Sequence, residues 1–168
     1  QNELQYIKSV LNSENHLILI SPRRFGKTSL VVKALRESNR KHIMLNLQSV
    51  VSTEDFAARL LKEIFKIYKF EKVKHFIKNF RIVPTISLNP MTDGVDVSIM
   101  PMVDNRVLIE DVFALLQAIA SEEDRLIVVL DEFQEIKSID KNLDRLLRSI
   151  MQLHKNINYL FLGSQESM

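Results

Sequence analysis

The apolar run His16-Leu17-Ile18-Leu19-Ile20 leads into Ser21-Pro22-Arg23-Arg24-Phe25-Gly26-Lys27-Thr28, and Ser29-Leu30-Val31-Val32-Lys33-Ala34-Leu35-Arg36 follows with helical spacing. This reads as a buried strand, a tight loop and a helix start. A strand end that delivers the chain to such a loop lets successive backbone N–H groups point inward as a nest for anionic oxygens. Gly26 lacks a Cβ, so the backbone there can approach an anion closely and take dihedrals that other residues resist. A helix beginning near Lys27 aims the positive end of its dipole at the same anion.

The stretch fits the phosphate-binding P-loop, G-x-x-x-x-G-K-[ST], with Ser21 in the place of the first glycine. Lys27 would bring a mobile ammonium to the β- and γ-phosphates, and the Thr28 hydroxyl would ligate Mg²⁺. The candidate nucleotide-binding set is therefore Ser21, Pro22, Arg23, Arg24, Phe25, Gly26, Lys27, Thr28 and Ser29. Ser21 leaves two alternatives: if its position needs a glycine-only conformation the loop is strained, and if it is extended, serine costs little.

A second chemical site lies about a hundred residues on. The unbroken apolar run Arg125-Leu126-Ile127-Val128-Val129-Leu130 reads as a buried strand and ends in Asp131-Glu132-Phe133-Gln134-Glu135. Hydrolysis of a phosphoanhydride needs a metal to spread charge and a base to orient water. Asp131 is the candidate Mg²⁺ ligand beside Thr28, and Glu132 the candidate to polarise the attacking water. Ile157 to Leu162 is the next strand, and Ser164 follows it. In a parallel sheet neighbouring strand ends share one edge, so Ser164 can reach the γ-phosphate or the water; the alternative is a helix cap or turn. Gln134 is either a γ-phosphate or partner contact or an exposed residue. Arg23 and Arg24 either touch phosphate or a neighbouring subunit, or face solvent. Arg145 and Arg148 would act in trans or form exposed salt bridges. His16, His42, His75 and His154 show no metal-ligand spacing.

Around these sites the pattern alternates. Glu3 to Leu11 is helical, and Asn12 to Asn15 a polar stop. His42 to Leu47 is a strand candidate. Ser52 or Thr53 caps a helix with Glu54 and Asp55 in its first turn. Lys66 to Arg81 is the most basic segment, with Phe70, Val73, Phe76, Ile77 and Phe80 interleaved. It reads as an amphipathic helix pair with a solvated lysine face, or as a docking surface for an acidic partner or nucleic acid. Ile82 to Leu88 and Val95 to Ile99 read as strands joined by Asn89 to Gly94, a β-hairpin inserted (82–99) in one 1–168 core. Pro101 to Asn105 is a linker; Arg106 to Ala120 and Asp140 to Leu153 are helices. The expected fold is α/β, a parallel sheet flanked by helices.

The residues Ser21 to Leu30, then Leu130-Asp131-Glu132-Phe133-Gln134-Glu135, then Phe161-Leu162-Gly163-Ser164, resemble the archaeal-type ATPases, P-loop proteins of the AAA+/STAND group. The likeness runs over nearly the whole chain in the right order. It implies that the P-loop strand lies beside the last strand, with the Asp-Glu strand next. It implies Lys27 and Thr28 as Walker A residues, Asp131 and Glu132 as Walker B, and Ser164 as sensor, with Glu132, Lys27 and Ser164 catalytic. It implies ATP rather than GTP, as no Asn-Lys-x-Asp motif is seen. In this family the final core strand, a helical lid and any effector domain would follow Met168.

The chain has 168 residues, a length suited to one domain with a sizeable core. Its net charge of +2 argues for no large electrostatic field and gives no support to a nucleic-acid binder by bulk charge. Absence of cysteine excludes a disulfide framework and thiolate chemistry. No apolar run approaches membrane-spanning length and no signal peptide is visible, so the expectation is a cytoplasmic protein without a membrane partner. Three functions compete: a Mg²⁺-ATPase that resets a conformational switch; a module whose interactions with an unknown protein, or with itself, are gated by ATP or ADP; and a DNA-associated ATPase.

Overall fold

The computed structural model describes residues 2–81, 83–91, 94–100 and 104–164. Ile82 of the expected strand, Thr92 and Asp93 of the expected turn, Pro101 to Val103 of the linker and Gln165 to Met168 lie outside them.

Helix α1 (Asn2–Leu11) precedes strand β1 (Leu17–Ser21) and helix α2 (Lys27–Ser38). Then come β2 (His42–Asn46), α3 (Thr53–Ile67) and α4 (Phe70–Ile77). Strands β3 (Thr85–Asn89) and β4 (Gly94–Ser98) lead to α5 (Asn105–Ile119) and β5 (Leu126–Asp131). The short α6 (Ile136–Ile139), α7 (Leu143–Met151) and β6 (Ile157–Ser164) complete the described order. The main sheet is parallel, in the order β1-β6-β5-β2. The P-loop strand thus lies beside the last strand, with the Asp-Glu strand next, as the family resemblance implies. No described helix is long and apolar enough to cross a membrane.

The order follows from hydrophobicity. All six residues of β5 are buried, so this strand takes a central place. Alternate side chains feed two cores. Ile127 and Val129 pack with Leu160 and Leu162 of β6 beneath α1 and α2, against Ile7, Leu11, Val31 and Leu35. Leu126, Val128 and Leu130 join Tyr159 beneath α3, α5 and α7, against Phe56, Leu60, Phe113 and Leu147. At the sheet edge, β1 turns Leu17 inward and leaves Ile18 and Ile20 exposed.

The second pair of strands is antiparallel, Thr85 opposite Ser98 and Asn89 opposite Gly94, as a hairpin requires. It rests on α3, where the Lys62 ammonium meets Asp96 at 2.8 Å. Two sequence expectations shift. The helix expected over 140–153 begins only at Leu143, because the Asp140 carboxylate accepts the Asn142 N–H at 2.8 Å and turns the chain there. A 3-10 turn over Phe133–Glu135 and α6 fill the space before it. The strand expected to end at Leu162 continues through Gly163 and Ser164, held in register by Ile20 and Ser21.

Parallel strands put their C-terminal ends on one edge. Ser21 stands opposite Ser164, and Asn46 opposite Asp131, so the loops after β1, β2 and β5 open together there.

Candidate functional site

Ser21 ends β1 as a paired, extended residue, so this position makes no demand for glycine. The left-handed positions of the loop are Arg24 (φ 66°) and Gly26 (φ 71°). Gly26 meets the expectation of an unusual dihedral. A Cβ built on it would find no atom within 4 Å, so conformation rather than crowding selects glycine, and the space beside it is open. Arg24 is the surprise: a branched-off side chain at positive φ costs about 1–2 kcal/mol, which the loop geometry must offset. Helix α2 starts at Lys27 with Gly26 as its N-cap. No side chain caps this end, which leaves its N–H groups for another acceptor.

Lys27 is buried, with 8% of its surface exposed. Its Nζ donates to the Gly163 carbonyl at 3.1 Å and lies 3.8 Å from Glu132 Oε1. Thr28 Oγ1 donates to Asp131 Oδ2 at 2.8 Å, joining α2 to the end of β5. Asp131 is almost fully buried, and its Oδ1 accepts the Glu132 N–H at 2.9 Å. Glu132 takes a left-handed backbone (φ 53°) as the chain leaves the strand. Ser164 is fully buried at the tip of β6. Its hydroxyl lies 3.4 Å from Glu132 Oε2 and 3.2 Å from Gln134 Nε2.

Between the loop and the carboxylates lies a cleft of about 640 Å³. It is lined by Pro22, Arg23, Arg24, Phe25, Gly26, Lys27, Thr28 and Ser29, together with Gln48 and Glu132. Arg23 and Arg24 are exposed and form no ion pair with a described residue; Phe25 is 75% exposed at the rim. The cleft thus offers cations, a hydroxyl and backbone donors on one wall and the Glu132 carboxylate on the other, with Asp131 buried behind Thr28, the complement of a metal-bound polyphosphate.

Sequence reasoning missed one participant, Gln48, and for another, Gln134, missed the partners it takes. Gln48 sits in a 3-10 turn after β2, where the Asn46 side chain accepts its N–H at 2.9 Å. Only the pairing of β2 with β5 brings it to the cleft, and that pairing is not written locally. Gln134 belongs to a network with Glu132 and Ser164 rather than to the open surface. Arg145 and Arg148 are exposed on α7 and form no ion pair with a described residue, contrary to the exposed salt bridges weighed for them. Arg145 faces a different cavity, beside Thr53, Asn105 and Asp140.

Neither a protein-family model nor a curated protein sequence matches the chain. Among solved structures, it is similar to the Orc1 protein of Aeropyrum pernix in complex with DNA, with a TM-score of 0.62 and 15% identity. The match covers 98% of this chain but only 38% of that one, so the chain spans little more than a third of the Orc1 length. A fainter likeness, TM-score 0.43 at 14% identity over 98% of this chain and 33% of the other, is to Pif1 helicases at forked double-stranded DNA. With the Orc1 likeness and the β1-β6-β5-β2 order, the chain has the α/β fold of the P-loop NTPases.

Proposed function

We propose that the chain is the nucleotide-binding core of an ATPase of the archaeal-type kind, which binds ATP with Mg²⁺ and hydrolyses it to reset a conformational switch. One observation carries the reading. Thr28 and Asp131, 103 residues apart, meet at 2.8 Å beside a buried lysine. A hydroxyl and a buried carboxylate are hard oxygen donors suited to Mg²⁺. The open space at Gly26 and the uncapped start of α2 fit the phosphates.

Bound Mg²⁺ would draw charge from the terminal phosphates and so ease anhydride cleavage. The chain's own residues do the rest. Lys27 leaves the Gly163 carbonyl and neutralises phosphate oxygens. Thr28 and Asp131 would hold the metal. Glu132 accepts a proton from water and aligns it. Ser164 fixes the edge of β6 beside Glu132. Arg23 and Arg24 stand at the rim, where a phosphate or a neighbouring subunit would meet them.

Titration calorimetry of Mg²⁺-ATP tests this reading. Loss of the Lys27 charge-assisted hydrogen bonds in Lys27→Ala should weaken binding about 10- to 100-fold, the equivalent of roughly 1.5–3 kcal/mol. Equal affinity in both proteins would remove the P-loop role. A second reading, an interaction module gated by ATP or ADP, gains from the engagement of Glu132 by its neighbours. Glu132→Gln separates the two: turnover should vanish with binding retained, whereas unchanged turnover of a slow wild type would favour the module.

A further inference from the structure

We infer that Gln134 is a positioning residue that anchors one oxygen of Glu132 to the tip of β6, leaving the other to serve the cleft. The inference rests on the hydrolytic reading above and assigns a part to a residue behind the cleft wall. Glu132 Oε2 accepts from Gln134 Nε2 at 2.5 Å and lies 3.4 Å from Ser164 Oγ. Glu132 Oε1 stands on the Lys27 side, 3.8 Å from the ammonium. The two oxygens therefore have different environments: one is occupied by donors, the other has lone pairs free for a water proton.

The amide of Gln134 is fully matched to this task. Its two N–H groups serve Glu132 Oε2 and Ser164 Oγ, and its Oε1 accepts the Ser164 backbone N–H at 3.3 Å. A reversed amide would set oxygen against the carboxylate. Glutamate would place a second negative charge there, leucine has no donor, and asparagine is one methylene short. Anchoring matters because Glu132 leaves β5 with a left-handed backbone, a costly conformation that persists only where surrounding contacts hold the residue. The same amide ties Glu132 to Ser164, so displacement of either strand tip moves the carboxylate.

Steady-state hydrolysis and amide NMR test this together. In Gln134→Leu, kcat should fall about 10- to 100-fold, the range in which a misplaced group costs rate, with KM for ATP within about twofold. An unchanged kcat, or a loss that appears only in KM, would overturn the inference. Without nucleotide, the Gln134 side-chain amide protons should resonate downfield in the wild type. In Glu132→Ala the proton that serves Glu132 should move to a free-amide position, while the one on Ser164 Oγ keeps its shift. Free-amide positions already in the wild type would overturn it as well. If the wild type hydrolyses no ATP, the hydrolytic reading fails, and the amide spectrum still decides whether Gln134 holds Glu132.

Discussion

Ser21 stands where the P-loop pattern has its first glycine, and its backbone needs none. It is extended and paired with Ser164, so a glycine would only add freedom to the unfolded chain and remove a side chain from the strand. Ser21→Gly should leave ATP affinity within about twofold and lower stability by about 0.5–1 kcal/mol, read by calorimetry and urea unfolding. A tenfold gain in affinity would instead mean that the serine hampers the loop. At this scale the sequence is informative where chemistry is local. Gly26, Lys27 and Thr28 follow one another, so strand, loop and helix start are legible together. Asp131 and Glu132 are legible because an apolar strand ends in them. The left-handed Arg24 and the cleft-facing Gln48 carry no such local mark. Gln134 has its role only because β6 runs two residues further than its hydrophobicity shows.

The elements obey the same division. β5 is an unbroken apolar run, and its central place follows from that alone; the pairing of β2 with β5 is set by the whole sheet. The 140–153 helix was expected too long because leucine spacing continues across a turn that Asp140 makes with its own side chain. The basic segment is a case where geometry narrows the options. Helix α4 buries Val73 and Ile77. At about 100° per residue, Lys69 and Lys72 fall on one flank of this stripe and Lys74 and Lys78 on the other. Lys72 and Lys74 also lie over the Tyr68 and Phe70 rings, 5.2 and 5.6 Å from the centroids. Four lysines on two flanks do not make one track for a phosphate backbone, which favours the solvated amphipathic helix. A polyanion site using all four would show a log–log salt slope of about −3 to −4, at about 0.9 per phosphate. The expected result for this chain is duplex binding with a shallower slope that is unchanged when the four lysines become glutamine. A slope that steep, lost in the quadruple variant, would restore the DNA reading.

At the scale of the molecule, two cores share one sheet, and the larger closes around a ring cluster that does not titrate like a free one. Tyr159 sits at its centre, stacked with Phe113 at 6.4 Å and edge-on to His16 at 5.4 Å. Its hydroxyl meets His154 Nδ1 at 2.7 Å, and burial holds the phenol protonated far above the usual range. A phenol that keeps its proton donates it, so His154 serves as the acceptor in its neutral form. Burial, with the His16 charge adding to it, lowers the His154 pKa to about 4. Burial lowers His16 as well. The unfolded chain protonates both rings near pH 6.5. Between about pH 6.5 and 4 it therefore binds more protons than the folded protein, and stability must fall as the pH falls through that window. The paired carboxylates of Glu110, Asp96 and Glu37 have lowered values, so their stabilisation is lost as the pH falls from the ordinary carboxylate range, about pH 5, toward those values. The histidine loss thus starts at higher pH, and the two overlap only at the acid end of the window. Urea midpoints at pH 7.5, 6, 5 and 4.5 should decline steadily in the wild type. His154→Gln keeps an acceptor for the Tyr159 hydroxyl and has no charge to gain. It should start lower, for the lost ring packing against Phe113, and decline less steeply over the same range. Parallel declines in the two proteins would show that His154 does not set the acid limit, which would then lie with His16 or with the paired carboxylates.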